Sequence, residues 1–272
     1  MMHTTLSARL FALYTTLAAH FAHEPHWWPL WSQRPQFEVM VGAVLVQQTR
    51  WEAVEGAVQR LIAQGWLSPQ ALAEAGTGEL AALIRPCAFH TQKAPGLQAI
   101  SRHLLAHYGG DPAALFAQER QALRQELLAL PRIGRETADT MMLYASDHPV
   151  FIVDAYARRL FARVDVFPGY DFLRRPYDEV QALVEAATAD CGLRIADLSG
   201  RSAIHLFHWR FHALITVACI HHCLTKPRCD LPGARRRFLD PRKCAEHCLA
   251  CGGCPLRGVC NAYQEQRTKN KE

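Results

Sequence analysis

Residues 130–138 read LPRIGRETA, and the chain runs on to FIVDAYARR at 151–159. Pro131 closes one helical stretch, and Gly134, three residues later, permits a tight turn into the next, predicted over 135–144. The first N–H groups of a helix have no partner within it and lie at the positive end of its dipole. A turn that presents them grips a phosphate without reading a base. Glu136 stands in that first turn, where a carboxylate suits the dipole. Asp154 follows three apolar residues and opens a further helix, so it reads as an N-cap that can also face a reaction site.

Outward from this hairpin the periodicity is helical. Apolar residues recur at three- and four-residue spacing over 37–61, 71–84, 94–108, 114–130, 177–187 and 203–220, with breaks at Gly and Pro. No alternating strand pattern and no fixed repeat is evident, so an all-α fold is expected. Leu6, Leu10, Leu13 and Leu17 make the N-terminus an amphipathic helix rather than a leader, since Arg9 interrupts it and no basic segment precedes it. No run of 18 apolar residues occurs, and no membrane span is expected. His205, His208 and His212 share one helix face, where neighbouring aromatics favour packing over metal binding.

Half of the 272 residues are hydrophobic and the net charge is +5, as for a globular domain. That charge is concentrated. Residues 221–272 hold 11 Lys and Arg against 5 Asp and Glu, which favours a polyanionic partner. The same segment holds eight of the ten cysteines if Cys219 is counted with it; Cys87 and Cys191 stand apart as core residues. Cys244, Cys251, Cys254 and Cys260 follow the spacing C-x6-C-x2-C-x5-C. Four thiolates so close in sequence suit a 4Fe-4S cluster. Structural zinc more often uses two separated C-x2-C knuckles. The set Cys223, Cys229, Cys254 and Cys260 also satisfies four-thiolate ligation, with residues 230–243 as a basic insertion between. No secretion signal is seen, which favours metal over disulfides and a cytoplasmic, nucleoid location.

The ordered set of LPxIGxxTA, an aspartate twenty residues after the glycine, and the cysteine loop resembles the endonuclease III superfamily of helix-hairpin-helix DNA glycosylases. The resemblance covers about residues 29–260. It implies a six-helix barrel domain with the hairpin at 25–146, and an iron–sulfur domain from 1–24 and 147–272. Duplex DNA with a damaged base would lie between them, bound by a monomer. Arg132, Ile133, Gly134, Arg135, Glu136 and Thr137 would hold the backbone, and Asp154 matches the essential aspartate. Where lyase-active members carry a nucleophilic lysine, this chain has Glu136, and a carboxylate forms no Schiff base. A monofunctional enzyme is expected, with water as nucleophile.

Residues 27–29 read WWP and 42–54 read GAVLVQQTRWEAV. With the hairpin, these are similar to the 3-methyladenine branch. Trp27, Trp28, Pro29 and Trp51 would then wall a pocket for a flipped base, and a cationic alkylated base would gain cation–π attraction there. Interdomain packing is the plainer use of these rings. Gln48 resembles the residue that fills the gap left by the base, Phe89 stands where the family inserts an apolar wedge, and Lys93 is a candidate phosphate contact. Two positions depart from the branch: Leu214 replaces a pocket lysine, and Arg132 replaces the first hairpin glycine. The alternatives are an enzyme for oxidised pyrimidines or mismatches, and a non-catalytic damage sensor.

Overall fold

The computed structural model describes residues 6–21, 28–164, 166–189, 202–223 and 254–261, with backbone only at 228–229 and 237–238. The chain divides into two compact units, one of Trp28–Val150 and the other of Met1–Trp27 with Phe151–Glu272. The division thus falls a few residues beyond the boundaries expected from sequence.

In chain order the helices are α1 (Leu6–His20), α2 (Pro35–Leu45), α3 (Trp51–Ala63), α4 (Pro69–Glu74), α5 (Thr77–Leu83), α6 (His90–Tyr108) and α7 (Pro112–Phe116). They continue with α8 (Arg120–Ala129), α9 (Arg135–Ala145), α10 (Ala155–Arg163), α11 (Tyr177–Thr188) and α12 (Ala203–His221). Two short strands follow, β1 (Arg228–Cys229) and β2 (Arg237–Phe238), paired antiparallel. β2 falls in the basic insertion and β1 immediately before it, where no strand was expected.

In the continuous unit, α2 is the central helix. Residues 37–45 are all buried, so it is apolar around its whole circumference. It packs against α3, α6, α7 and α9. The single helix expected over 37–61 is two, because the chain turns at Gln48, whose φ is 52°. The stretches 71–84 and 114–130 also split. Prolines at the starts of α4 and α7 open new helices, and Ser68 Oγ and Asp111 Oδ1 accept from Ala71 N and Ala113 N.

The discontinuous unit packs α1, α10, α11 and α12 around one core. Leu10, Leu13 and Leu17 of α1 meet Phe207, Phe211 and Ile215 of α12, and Tyr14 lies 4.8 Å from Phe207, ring to ring. By length and composition α12 could cross a bilayer, the one described helix to do so. Most of it is buried in this core instead, and His205, His208 and His212 are buried with it.

Candidate functional site

The hairpin lies between α8 and α9. Ile133, 6% exposed, anchors its tip in the core, while Arg132, Gly134, Arg135 and Glu136 face solvent. The left-handed residue is Arg132, with φ 68°. Gly134 has an extended φ of −96°, so the backbone itself does not require glycine there. A Cβ added at Gly134 would meet nothing within 4 Å. The open space before the N-terminus of α9 is therefore available to a ligand approaching the backbone. Contacts from α8 and α6 help to hold the hairpin. Asp139, fully buried, takes a bidentate pair from Arg124 at 2.7 and 3.2 Å, tying α9 to α8. Gly96 in α6 leaves room for the Arg132 side chain, since a Cβ there would come 2.7 Å from Arg132 Cγ.

Four non-glycine residues among those described have positive φ: Trp28, Gln48, Phe89 and Arg132. Each such residue costs roughly 1–3 kcal/mol and persists only where its surroundings enforce it. All four were marked in the sequence as candidate DNA or base contacts. Gln48 is exposed at the turn between α2 and α3. Phe89 is 47% exposed at the N-terminus of α6.

Lys93 corrects the sequence reading. It is fully buried and reaches no phosphate. Its ammonium donates to Leu45 O at 2.8 Å, Gln47 O at 2.7 Å and Thr49 Oγ1 at 3.1 Å. All three donors are satisfied, at the negative end of α2. Burial pushes its pKa down to about 8; the nearby Cys87 thiol opposes that shift and Arg132 adds to it. Thr49 Oγ1 also accepts from Ala88 N at 3.0 Å. Gln47 Nε2 donates to Arg132 O and to Thr137 Oγ1, both at 2.8 Å, and Arg132 Nη1 donates to Gln92 Oε1 at 3.2 Å.

Trp27 lies outside the described residues. Trp28 and Trp51 form a half-buried aromatic group with two rings that the sequence reading missed. Trp28 stacks on Tyr144 at 4.9 Å and meets Trp51 edge-on at 5.2 Å, while Trp31 stacks on Trp51 at 6.3 Å. Gly42 makes room for Trp28, because a Cβ would stand 3.1 Å from its Cζ2. Buried Glu38 accepts from Trp31 N and Ser32 N at 2.8 and 2.7 Å and so pins the segment after Pro29. Periodicity marks Tyr144 only as helical, and Glu38 only as a first-turn acid.

In the other unit, Asp154 caps α10 as expected. Its Oδ1 accepts from Ala157 N at 2.7 Å, and its Oδ2 lies 3.6 Å from His212 Nε2. Three α11 side chains at successive turns support the extended segment before it. Glu185 Oε1 accepts from Phe151 N, Gln181 Nε2 donates to Phe151 O, and Tyr177 Oη accepts from Val153 N, at 2.9, 2.7 and 3.2 Å. Nothing in the local sequence of α11 signals this role. His208 Nε2 lies 2.8 Å from Thr188 Oγ1, consistent with packing. Leu214 rests partly buried on the core.

Of the expected thiolate ligands, Cys244 and Cys251 lie outside the described residues. Cys260 pairs its backbone with Val164 just beyond α10, and Arg163 Nη1 donates to Cys223 Sγ at 3.3 Å. Burial raises the Cys254 thiol, and the neighbouring Cys260 and Cys223 raise it further. Cys223, Cys254 and Cys260 thus gather near the end of α10, none of them in a disulfide. Among the described residues no group of three or more side chains is placed to hold a single metal ion.

The described residues thus show a helical fold in which an exposed hairpin precedes a helix N-terminus. A family model described as the HhH-GPD superfamily base excision DNA repair protein matches residues 41–184. A Methanocaldococcus jannaschii protein named as a DNA repair glycosylase is 32% identical over 81% of this chain and 91% of its own. The endonuclease III of Thermotoga maritima is 33% identical over 57% of this chain and 66% of its own. The chain belongs to the HhH-GPD superfamily of base excision DNA repair proteins. Among solved structures, the H. pylori 3-methyladenine DNA glycosylase bound to 1,N6-ethenoadenine aligns at TM-score 0.62 and 26% identity, over 76% of this chain and 94% of that one. A non-covalent endonuclease III–DNA complex aligns at TM-score 0.65 and 20% identity, over 96% and 98%, and shows the shared fold.

Proposed function

We propose that this base excision repair protein is a monofunctional DNA glycosylase acting on alkylated, 3-methyladenine-like bases in duplex DNA. The observation that carries the reading is the placement of lysine. Lys93 is the only lysine ahead of Lys226, and its amine is sealed among three oxygens. Glu136 occupies the exposed first turn of α9. The hairpin unit therefore offers no amine to attack the sugar, and water is the nucleophile. The N-glycosidic bond breaks toward the base, the sugar develops oxocarbenium character, and the Asp154 carboxylate stabilises it while orienting water to C1′. The water's proton passes to Asp154 or solvent, and the products are free base and an abasic site.

The Trp28, Trp51 and Tyr144 rings support an electron-poor base, since a cationic ring gains attraction from each aromatic face. The likeness to the H. pylori 3-methyladenine glycosylase agrees with this. A 4Fe-4S cluster would be held by Cys254 and Cys260 with two further thiolates. The nearness of Cys223 and Cys260 to Cys254 at the end of α10 supports such a group, with Cys223 counted among its ligands. The cluster would fix the fold of a segment too short to have its own core.

The test is a panel of duplexes with 3-methyladenine, 1,N6-ethenoadenine, thymine glycol or uracil, with base release read separately from strand cleavage. Release of alkylated adenine without cleavage is expected. Cleavage at thymine glycol would replace this reading with an endonuclease III-like one. Iron content of Cys223→Ser and Cys244→Ser proteins decides the ligand set, with loss of iron expected for the former.

A further inference from the structure

We propose that Lys93 is a positioning residue, whose buried ammonium locks the Gln48 and Phe89 tips into one rigid two-pronged probe of the duplex. The inference rests on the reading above, in which those two side chains enter DNA.

The tips come from different elements, and each is in left-handed backbone, φ 52° at Gln48 and 56° at Phe89. Neither has the freedom of glycine, so each needs an external constraint. The Lys93 ammonium supplies it directly at Gln48 and, by way of Thr49, beside Phe89. Its Nζ binds the carbonyls of Leu45 and Gln47 and the Thr49 hydroxyl, bracketing Gln48. Its backbone N also donates to Phe89 O at 2.9 Å, a bond that Lys93→Met would keep, so the side chain's share is the ammonium network alone. Thr49 Oγ1 completes the link through Ala88 N, and Gln47 extends it to the hairpin at Arg132 and Thr137. Arginine is too large for a fully enclosed site, and methionine fills it without donating.

A rigid pair matters for base extrusion. Unstacking a base costs a few kcal/mol, and a wedge offsets that only if it stays extended while the helix pushes back. A tip free to relax out of left-handed backbone would fold away under that load. Burial, which disfavours the charged form, also lowers the pKa of this amine.

The test uses the whole protein and a duplex carrying 1,N6-ethenoadenine beside 2-aminopurine, with unstacking read by stopped-flow fluorescence before excision. Lys93→Met should lower the extrusion constant roughly tenfold, because the preorganisation of two strained tips is lost. Lesion-free duplex binding, which rests on the hairpin, should stay within about twofold. In a Gln48→Ala/Phe89→Ala background Lys93→Met should add almost nothing, as expected for residues acting as one unit. If Lys93→Met fails to fold, Thr49→Val removes the shared hydroxyl with little change of shape, and a smaller loss with the same non-additivity is expected. Unchanged extrusion, or a full tenfold loss retained in the tipless background, overturns the proposal. Unaltered extrusion by the Gln48→Ala/Phe89→Ala protein overturns the reading of the tips, and Lys93's role with it. Absence of any extrusion by the wild type overturns the functional reading itself.

Discussion

Asp154 has two roles that a pair of substitutions can separate. Its Oδ1 caps α10 through Ala157 N at 2.7 Å, and its charge is proposed to act on the sugar. Asp154→Asn keeps an oxygen acceptor for the cap and removes the charge. Asp154→Ala removes both. Loss of an N-cap costs about 1 kcal/mol, within a range of roughly 0.5–2. The charge at the helix terminus adds about 0.3–1. At roughly 2–4 °C per kcal/mol for a chain of this size, Asp154→Ala should lower Tm by about 3–8 °C. Asp154→Asn should lower it by no more than about 4 °C. Both should reduce single-turnover base release by about 10²–10⁴, the usual worth of a positioned acid–base or charge-stabilising group. DNA affinity of the Asn protein, measured by anisotropy, should be retained. Base release from Asp154→Asn within an order of magnitude of wild type would refute the chemical role. Equal destabilisation by the two substitutions would refute the capping account.

Three further outcomes follow from the hairpin. Gly134→Ala meets no atom in the free protein, so Tm should change by the equivalent of about 0.5 kcal/mol or less, whereas DNA affinity, read by anisotropy, should fall as the methyl blocks the approaching phosphate. Arg124→Met leaves the buried Asp139 carboxylate without its bidentate partner and should cost about 3–5 kcal/mol in denaturant unfolding. The double change Arg124→Met/Asp139→Leu should recover most of that loss. Borohydride added with an abasic-site duplex should trap no covalent adduct with the wild type. Glu136→Lys, placing an amine in the exposed first turn of α9, should create one visible by denaturing gel.

Much of the helical scaffold could be read from the chain, because apolar spacing is a local property. Leu10, Leu13 and Leu17 face a core that their own period predicts. Asp154 as an N-cap and Glu136 in a first turn are equally local facts. The exceptions were also physical. One helix was expected over 37–61, but the tertiary contacts of Lys93, Thr49 and Gln47 force a left-handed turn at Gln48, and periodicity carries no signal of such a force. Lys93 looked like a surface charge, because lysine usually is one. Only the convergence of α2, the 46–50 turn and α6 shows that its ammonium is enclosed.

The sequence by itself determined the helical class, the hairpin, the capping aspartate and the missing lysine in the hairpin's first turn. Each depends on residue type at short range. Only the tertiary structure decided that Tyr144 joins the tryptophans, that α11 holds the extended segment leading to Asp154, and that Cys223 approaches Cys254 and Cys260. These contacts span 34 residues in the case of Phe151 and Glu185 and 48 in the case of Leu45 and Lys93. At such separations which groups meet is set by how whole helices pack, and no local pattern encodes it.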